Sequence, residues 1–331
     1  MNMHKWLEDI KNTDKKRAFP ILSFPCVSLM GITVAELISS AQLQAEGMAR
    51  VAKRVPSLAS VTMMDLSVEA DAFGGQTYVS ENEVPTILGS LVEAPEDAEA
   101  LKVPEVGAGR TGIYIEAVKL AKERITDRPV FAGVIGPYSL AGRLMGVSEA
   151  MINCYDEPEM VETVLEKATE FIIEYIKAYR AVGADGVVMA EPLAGMLSPK
   201  LAKEFSEPYV RRIADACKSE DFLVIYHNCG DNTIKMIDSI LSTGCDAYHF
   251  GDAISMSEML THIPENVVAM GNVSPSKQFL NGTPESIKAE TRAIMAECKA
   301  YSNFVISSGC DIPPLSPWEN IDAFFEAVEE L

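Results

Sequence analysis

His227 and Cys229 stand two residues apart, and a further cysteine, Cys310, follows far downstream beside Gly309. Side chains two apart on an extended chain share a face, so this imidazole and thiol converge. One nitrogen and two sulfurs suit Zn2+. Three protein ligands with a fourth position left open are the pattern of a catalytic metal site, whereas structural zinc is usually closed by four. Gly230 and Gly309 flank the proposed ligands and permit tight backbone turns there. His-x-Cys alone is a weak signal, equally produced by a buried histidine beside a core cysteine, so its context has to carry the reading. His262 precedes Ile263-Pro264 in a loop and reads as a surface residue, and His249, alternating with Tyr248 in a short apolar run, is a weaker candidate for lining the pocket. Cys26, Cys154, Cys217, Cys245 and Cys298 read as small core residues, since free cysteine is among the most buried residue types.

Eight short apolar runs bounded by turn residues supply the elements that must position these groups. They are Ala18 to Phe24, Ser60 to Leu66, Val130 to Ile135, Gly186 to Ala190, Leu223 to Tyr226, Ala247 to Phe250, Val267 to Met270 and Asn303 to Ser307. Stretches of helical period separate them: Thr33 to Val55, Gly112 to Ile125, Glu159 to Val182, Pro199 to Lys218, Pro284 to Tyr301, and a last helix from Pro317. Ser198-Pro199 and Thr283-Pro284 each place a capping residue before a proline at the first helical position. Strict alternation of strand and helix implies parallel strands joined by right-handed crossovers, and eight units imply closure into a single-domain (β/α)8 barrel, with an open doubly wound sheet as the alternative. Residues 1–331 are expected to form one such domain with an N-terminal helical extension, and Glu81 to Gly109 to form a long loop with short helical pieces over the barrel mouth.

Polar residues collect where the strands end: Asp65, Glu191-Pro192, His227 to Gly230, Asp252, Asn272 and Cys310-Asp311. Barrels of this kind build active sites on that carboxyl-terminal face. Glu191, Asp252 and Asp65 are therefore the candidate catalytic carboxylates, for positioning or proton handling, against the simpler role of helix cap or turn residue.

Composition excludes some function classes. With 48% hydrophobic and 23% charged residues the chain can bury a large core, and a formal charge of −20 opposes binding to phosphate backbones, so nucleic acid is not an expected partner. No apolar run approaches the roughly 18 uncharged residues of a membrane span. Seven cysteines without a short framework point to reduced thiols, and a cytoplasmic protein is expected.

Several segments resemble the uroporphyrinogen decarboxylase superfamily: DGVVMAEPLAGMLSP (Asp185 to Pro199), YHNCGD (Tyr226 to Asp231), GNVSP (Gly271 to Pro275), NGTPE (Asn281 to Glu285), SSGCDIPPLSPWENI (Ser307 to Ile321) and GPYSLAGRLMG (Gly136 to Gly146). The resemblance covers nearly the whole chain and implies a (β/α)8 barrel. Within the superfamily, His-x-Cys with a distant cysteine is similar to the zinc-dependent, corrinoid-linked methyltransferases such as the methylcobamide:coenzyme M methyltransferases, which implies His227, Cys229 and Cys310 as zinc ligands. The decarboxylases instead carry an arginine-rich segment after the first strand. Here that stretch, Phe24 to Val34, contains no arginine, although Asp65 in Met63 to Gly74 resembles the decarboxylase aspartate. Two positions depart from the coenzyme M enzymes: Tyr248 to Ile254 offers Asp252 but has Gly251 where acidic residues are usual, and Glu191 stands where many relatives have aspartate.

The resemblance implies methyl transfer between a corrinoid protein and a small substrate, either a thiol such as coenzyme M or a methylated donor such as a methoxylated aromatic, methanol or a methylamine. The implied cofactors are Zn2+ and a corrinoid (cobalamin). The cobalamin-binding signature Asp-x-His-x-x-Gly is absent, so the corrinoid is expected on a partner protein. Uroporphyrinogen decarboxylation is the alternative activity, and a non-catalytic corrinoid-binding scaffold is a third reading.

Overall fold

The computed structural model describes residues 1–13 and 15–330. Its strands are β1 (Ser60–Val61), β2 (Gln76–Tyr78), β3 (Thr86–Leu88), β4 (Val130–Ile135), β5 (Gly186–Ala190), β6 (Leu223–Asn228), β7 (Ala247–Phe250), β8 (Val268–Val273) and β9 (Phe304–Ser308). Seven of them form one parallel sheet in the order β1-β4-β5-β6-β7-β8-β9, with helices in the crossovers, while β2 and β3 make a separate antiparallel hairpin.

Ala18 to Phe24 lies between the two edges of the curled sheet. The Phe19 N–H donates to the Ile306 carbonyl on β9 at 3.0 Å, and the Leu58 N–H donates to the Ala18 carbonyl at 2.8 Å. The first expected strand thus occupies the closing position of an α/β barrel without being a regular strand. Pro20 has no N–H to offer, and the Ile21 N–H donates to the Ser308 hydroxyl at 3.0 Å rather than to a backbone carbonyl. The second expected strand, Ser60 to Leu66, pairs over two residues only. Beyond them the Thr62 hydroxyl accepts the Gly133 N–H at 2.8 Å, so a side chain replaces the next rung.

The expected helix Thr33 to Val55 is two helices, Val34–Ile38 and Ala41–Arg54, because the Ser40 hydroxyl caps the second by accepting the Leu43 N–H. Pro199 to Lys218 is likewise divided into Pro199–Phe205 and Glu207–Cys217, and Pro208, lacking an N–H, suits only the first turn of the second piece. The expected caps form: Ser198 accepts from the Leu201 N–H and Thr283 from the Ser286 N–H. Within Glu81 to Gly109 the chain contributes β3 and the helix Pro95–Ala100.

Strand parity divides the core in two. Val188 and Ala190 on β5, Leu223 and Ile225 on β6, Ala247 on β7, Val268 and Met270 on β8 and Val305 on β9 join Phe19 and Phe131 inside the barrel. Their neighbours Val187, Met189, Val224, Tyr226, Tyr248 and Phe250 pack outward against the helices. The helix Met3–Lys11 lays Met3, Leu7 and Ile10, spaced as one helical stripe, onto the inner cluster. It is tied to the amino-terminal ends of the strands, the Met3 N–H donating to the Glu220 carbonyl at 2.7 Å and Lys11 Nζ to the Asn266 carbonyl at 3.0 Å. This leaves the carboxyl-terminal mouth for the polar residues. Among the described residues no helix is long and apolar enough to cross a membrane.

Candidate metal centre

The inward parity of Leu223 and Ile225 continues to His227 at the end of β6, and Cys229 follows two residues later. Cys310 comes two residues after β9 ends. The structure brings all three together: their ligand atoms lie within 4.8 Å of one another, and Cys310 Sγ is 3.4 Å from His227 Nε2. A tetrahedral zinc with bonds of about 2.0 Å to nitrogen and 2.3 Å to sulfur separates its donor atoms by roughly 3.5–3.8 Å, so the cluster is compatible with zinc after small side-chain movements. His227 is buried and both cysteines are half-buried, at the carboxyl-terminal ends of β6 and β9.

Close backbone contacts hold this arrangement. A Cβ at Gly251 would lie 2.5 Å from Cys229 Cβ and 2.6 Å from its Cα, so the residue that interrupts the expected acidic pattern after β7 is the one that makes room for a ligand. A Cβ at Gly309 would lie 2.7 Å from the Asp252 nitrogen, and one at Gly230 would lie 2.5 Å from Gly195 Cα. Asn228 faces outward and stiffens the turn between the two ligands of β6: its Oδ1 accepts the Gly230 N–H at 2.9 Å and its Nδ2 donates to the Tyr226 hydroxyl at 3.0 Å. Asn272 Nδ2 donates to the Gly251 and Ile254 carbonyls at 2.9 and 2.8 Å, pinning the loop after β7 to β8.

The two thiols titrate as a pair. A hydrogen bond from Cys310 holds the Cys229 thiol well below its usual range, against burial, and His227 pulls in the same direction; as the donor of that bond Cys310 is pushed up. A bound dication would favour the thiolate form of both cysteines. Behind His227 lies His249, wholly buried, with the two Nδ1 atoms 2.8 Å apart. His249 is driven well below its usual pKa by burial and then by His227. The weaker histidine candidate of the sequence is thus in direct contact with the site; its signal was that it occupies the inward parity of β7, in register with His227. His262 is exposed, as expected, and Cys26, Cys154, Cys217, Cys245 and Cys298 are buried free thiols.

The three carboxylates singled out in the sequence occupy different environments. Glu191 follows the inward Ala190 and faces the helix layer, where it accepts from the Tyr138 and Ser139 N–H groups at 2.9 and 2.6 Å at the start of helix Pro137–Met145. Burial raises it to about 7 against the pull of those donors. Asp65 is buried and paired with Arg110, and it also accepts from the Tyr114 hydroxyl at 2.8 Å and the Ser67 hydroxyl at 2.6 Å. Asp252 is exposed beside Gly309 and lines a cleft of about 310 Å³ with Asn272, Ser274 and Lys277. Arg110, Tyr114 and Ser307 were not singled out in the sequence, because each meets its partner only across the fold.

The uroporphyrinogen decarboxylase (URO-D) family model matches residues 25–331. The chain belongs to the uroporphyrinogen decarboxylase family. Members of that family similar to it carry two kinds of name. A methylcobamide:CoM methyltransferase of Methanosarcina acetivorans is 27% identical over 270 residues, covering 80% of this chain and 77% of that protein. A uroporphyrinogen decarboxylase of Psychromonas ingrahamii is 28% identical over 308 residues, covering 89% and 85%. Among solved structures, a methyltransferase from Methanosarcina mazei superposes with a TM-score of 0.88 at 24% identity, over 99% of this chain and 98% of that one. A B12-independent methionine synthase from a Shewanella species reaches 0.58 at 12% identity, over 96% and 97%. Both likenesses agree with the barrel described above.

Proposed function

We propose that this family member is a zinc-dependent methyltransferase that moves a methyl group between a corrinoid carried by a partner protein and a small substrate. The observation that carries the reading is the His227, Cys229 and Cys310 cluster at the barrel mouth, its donor atoms within 4.8 Å of one another, in a chain similar to methylcobamide:CoM methyltransferases. His227, Cys229 and Cys310 are the residues that hold the metal. When bound, zinc supplies a positive centre that favours the thiolate of a thiol substrate or polarises the heteroatom of a methylated donor. The rest is the work of the chain. Gly251 keeps Cys229 in place, Asn228 and Asn272 hold the ligand loops, and Asp252 is the exposed carboxylate able to take up or return a proton at the mouth. Glu191 orients helix Pro137–Met145. On that helix Arg143 donates only to the Thr86 hydroxyl, at 3.4 Å, and has no carboxylate partner among the described residues. It suits an anionic tail on the small substrate.

The decarboxylase activity named for other relatives requires a carboxylate free to orient pyrrole N–H groups. Asp65 is enclosed by Arg110, Tyr114 and Ser67, and its side chain is 0% exposed. The test is direct. Methylcobalamin with coenzyme M, homocysteine or another small thiol should yield cob(I)alamin and the thioether, or cob(I)alamin should be methylated from a methoxylated aromatic, methanol or a methylamine. Substitution of His227, Cys229 or Cys310 by alanine should abolish either reaction. A zinc-free protein that decarboxylates uroporphyrinogen and transfers no methyl group, with a cognate corrinoid protein present, overturns the proposal.

A further inference from the structure

Arg17, Arg143 and Arg211 are the arginines that lack a carboxylate partner among the described residues; they donate to the Ser57 carbonyl and to the Thr86 and Ser242 hydroxyls. Arg212, next to the last of them, holds Glu166 at 2.6 Å. Arg211 lines a groove of about 470 Å³ in the outer helix layer. Helices Pro199–Phe205 and Glu207–Cys217 form one side of the groove, and the turn Thr233–Met236 with helix Ile237–Leu241 forms the other. Lys203 and Lys235 line the same groove from two further elements, and neither has a carboxylate partner among the described residues; Lys235 Nζ donates to Asn232 Oδ1 at 3.1 Å.

The nearby acids do not neutralise these three cations. Asp238 lines the groove without an ion pair to any of them. Glu207, on which Lys203 acts, is 5% exposed, and burial raises it to about 7, so in slightly acidic solution it holds its proton. Cations sharing one concavity repel one another, and a bound anion removes that repulsion. The formal charge of −20 does not cancel the attraction, because at physiological salt exposed charges more than about 8 Å away are largely screened.

Charge and shape select the ligand. Three cations less the Asp238 carboxylate leave two positive charges, matching a phosphate monoester with about −1.5 to −2 near neutral pH. Arg211 offers a planar fork of N–H donors suited to two phosphate oxygens, and the lysines supply point charges. The groove falls within the range of small-molecule sites, about 300–1,000 Å³, and Pro199 and Met236 give it an apolar wall for an organic remainder. We propose that this groove binds a small phosphate monoester, with Arg211, Lys203 and Lys235 holding the phosphate. None of the three belongs to the metal centre, so the proposal does not depend on the zinc reading.

Isothermal titration calorimetry of the whole protein, slightly below neutral pH and at physiological salt, tests it with inorganic phosphate and ribose 5-phosphate as probes. Both should bind saturably, the ester more tightly, and ribose alone should not bind. Arg211→Gln should weaken binding by about 10- to 100-fold, the loss of a charge-assisted pair, and Lys235→Gln by a similar factor. Both side chains are exposed, so neither substitution touches the core. Lys102→Gln, which removes an exposed lysine elsewhere, should change nothing. An equal loss in Lys102→Gln would reduce the binding to nonspecific attraction and overturn the proposal. Cys310→Ala separates the groove from the metal centre, and binding should persist in it. Binding lost in Cys310→Ala but kept in Arg211→Gln belongs to the metal and overturns the proposal, as does a wild type that binds neither probe. Equal affinity for the two probes would overturn the assignment of an ester.

Discussion

Cys229 owes its position to a hydrogen atom on its neighbour. Gly251 has no side chain, and a Cβ there would stand 2.5 Å from Cys229 Cβ. Gly251→Ala should therefore displace a ligand while leaving the hydrophobic core untouched, and zinc content after reconstitution should fall well below one per chain with an unchanged far-ultraviolet dichroism spectrum. Full zinc occupancy in that variant would show that the loop after β7 can retreat. Cys310→Ala should weaken zinc binding with the barrel intact, because the lost atom lies in the mouth rather than in the core; global unfolding would instead make it a structural cysteine. At the same scale, Glu191 and Asp65 are buried strand-end carboxylates. Each already holds strong donors, two N–H groups for Glu191 and Arg110, Tyr114 and Ser67 for Asp65.

Elements are placed by matching faces. Helix Met3–Lys11 buries Met3, Leu7 and Ile10 beneath the barrel and so covers the apolar inner cluster at the end away from the ligands. Leu7 is 7% exposed, and Leu7→Ala should cost about 2–4 kcal/mol, read as a lower urea midpoint, with zinc affinity unchanged. A loss of zinc binding in that variant would mean that the helix sets the geometry of the mouth as well. The closing segment Ala18 to Phe24 shows the complementary case. It holds the barrel together through the Phe19 N–H, the Ala18 carbonyl and the Ser308 hydroxyl, and its Phe19 carbonyl accepts from the Ser307 hydroxyl at 2.7 Å.

For the molecule as a whole, buried carboxyls couple stability to pH. Burial raises Glu69, Glu191 and Glu207 to about 7. In the unfolded chain such groups titrate near about 4.3. Between these values the folded state holds more protons than the unfolded state, so stability falls as pH rises through the window and levels off above it. Each group contributes on the order of 1–3 kcal/mol to the change. Urea midpoints measured from pH 5 to 8 should decline toward neutrality, and Glu69→Gln should make the decline shallower. A slope unaffected by that substitution would mean that Glu69 ionises in the folded protein as readily as in the unfolded one.

The sequence by itself determined what depends on short spacing. Strand alternation put His227 and Cys229 on one face, capping residues marked the helices after Ser198 and Thr283, and the order of strands and helices implied a parallel barrel with its chemistry at the carboxyl-terminal mouth. These are local rules, satisfied within a few residues or by the order of elements alone. The tertiary structure decided what depends on distant segments meeting. It shortened the strand expected from Ser60 and made the closing segment irregular, because Thr62 and Pro20 bond, or fail to bond, with partners that periodicity does not describe. It turned Glu191 outward, set Arg110 on Asp65, and joined His249 to Ser307 across 58 residues of sequence. A pairing of that span has no local signature, because it exists only once the sheet has curled far enough to bring β9 and the segment from Ala18 to the strands that carry the ligands.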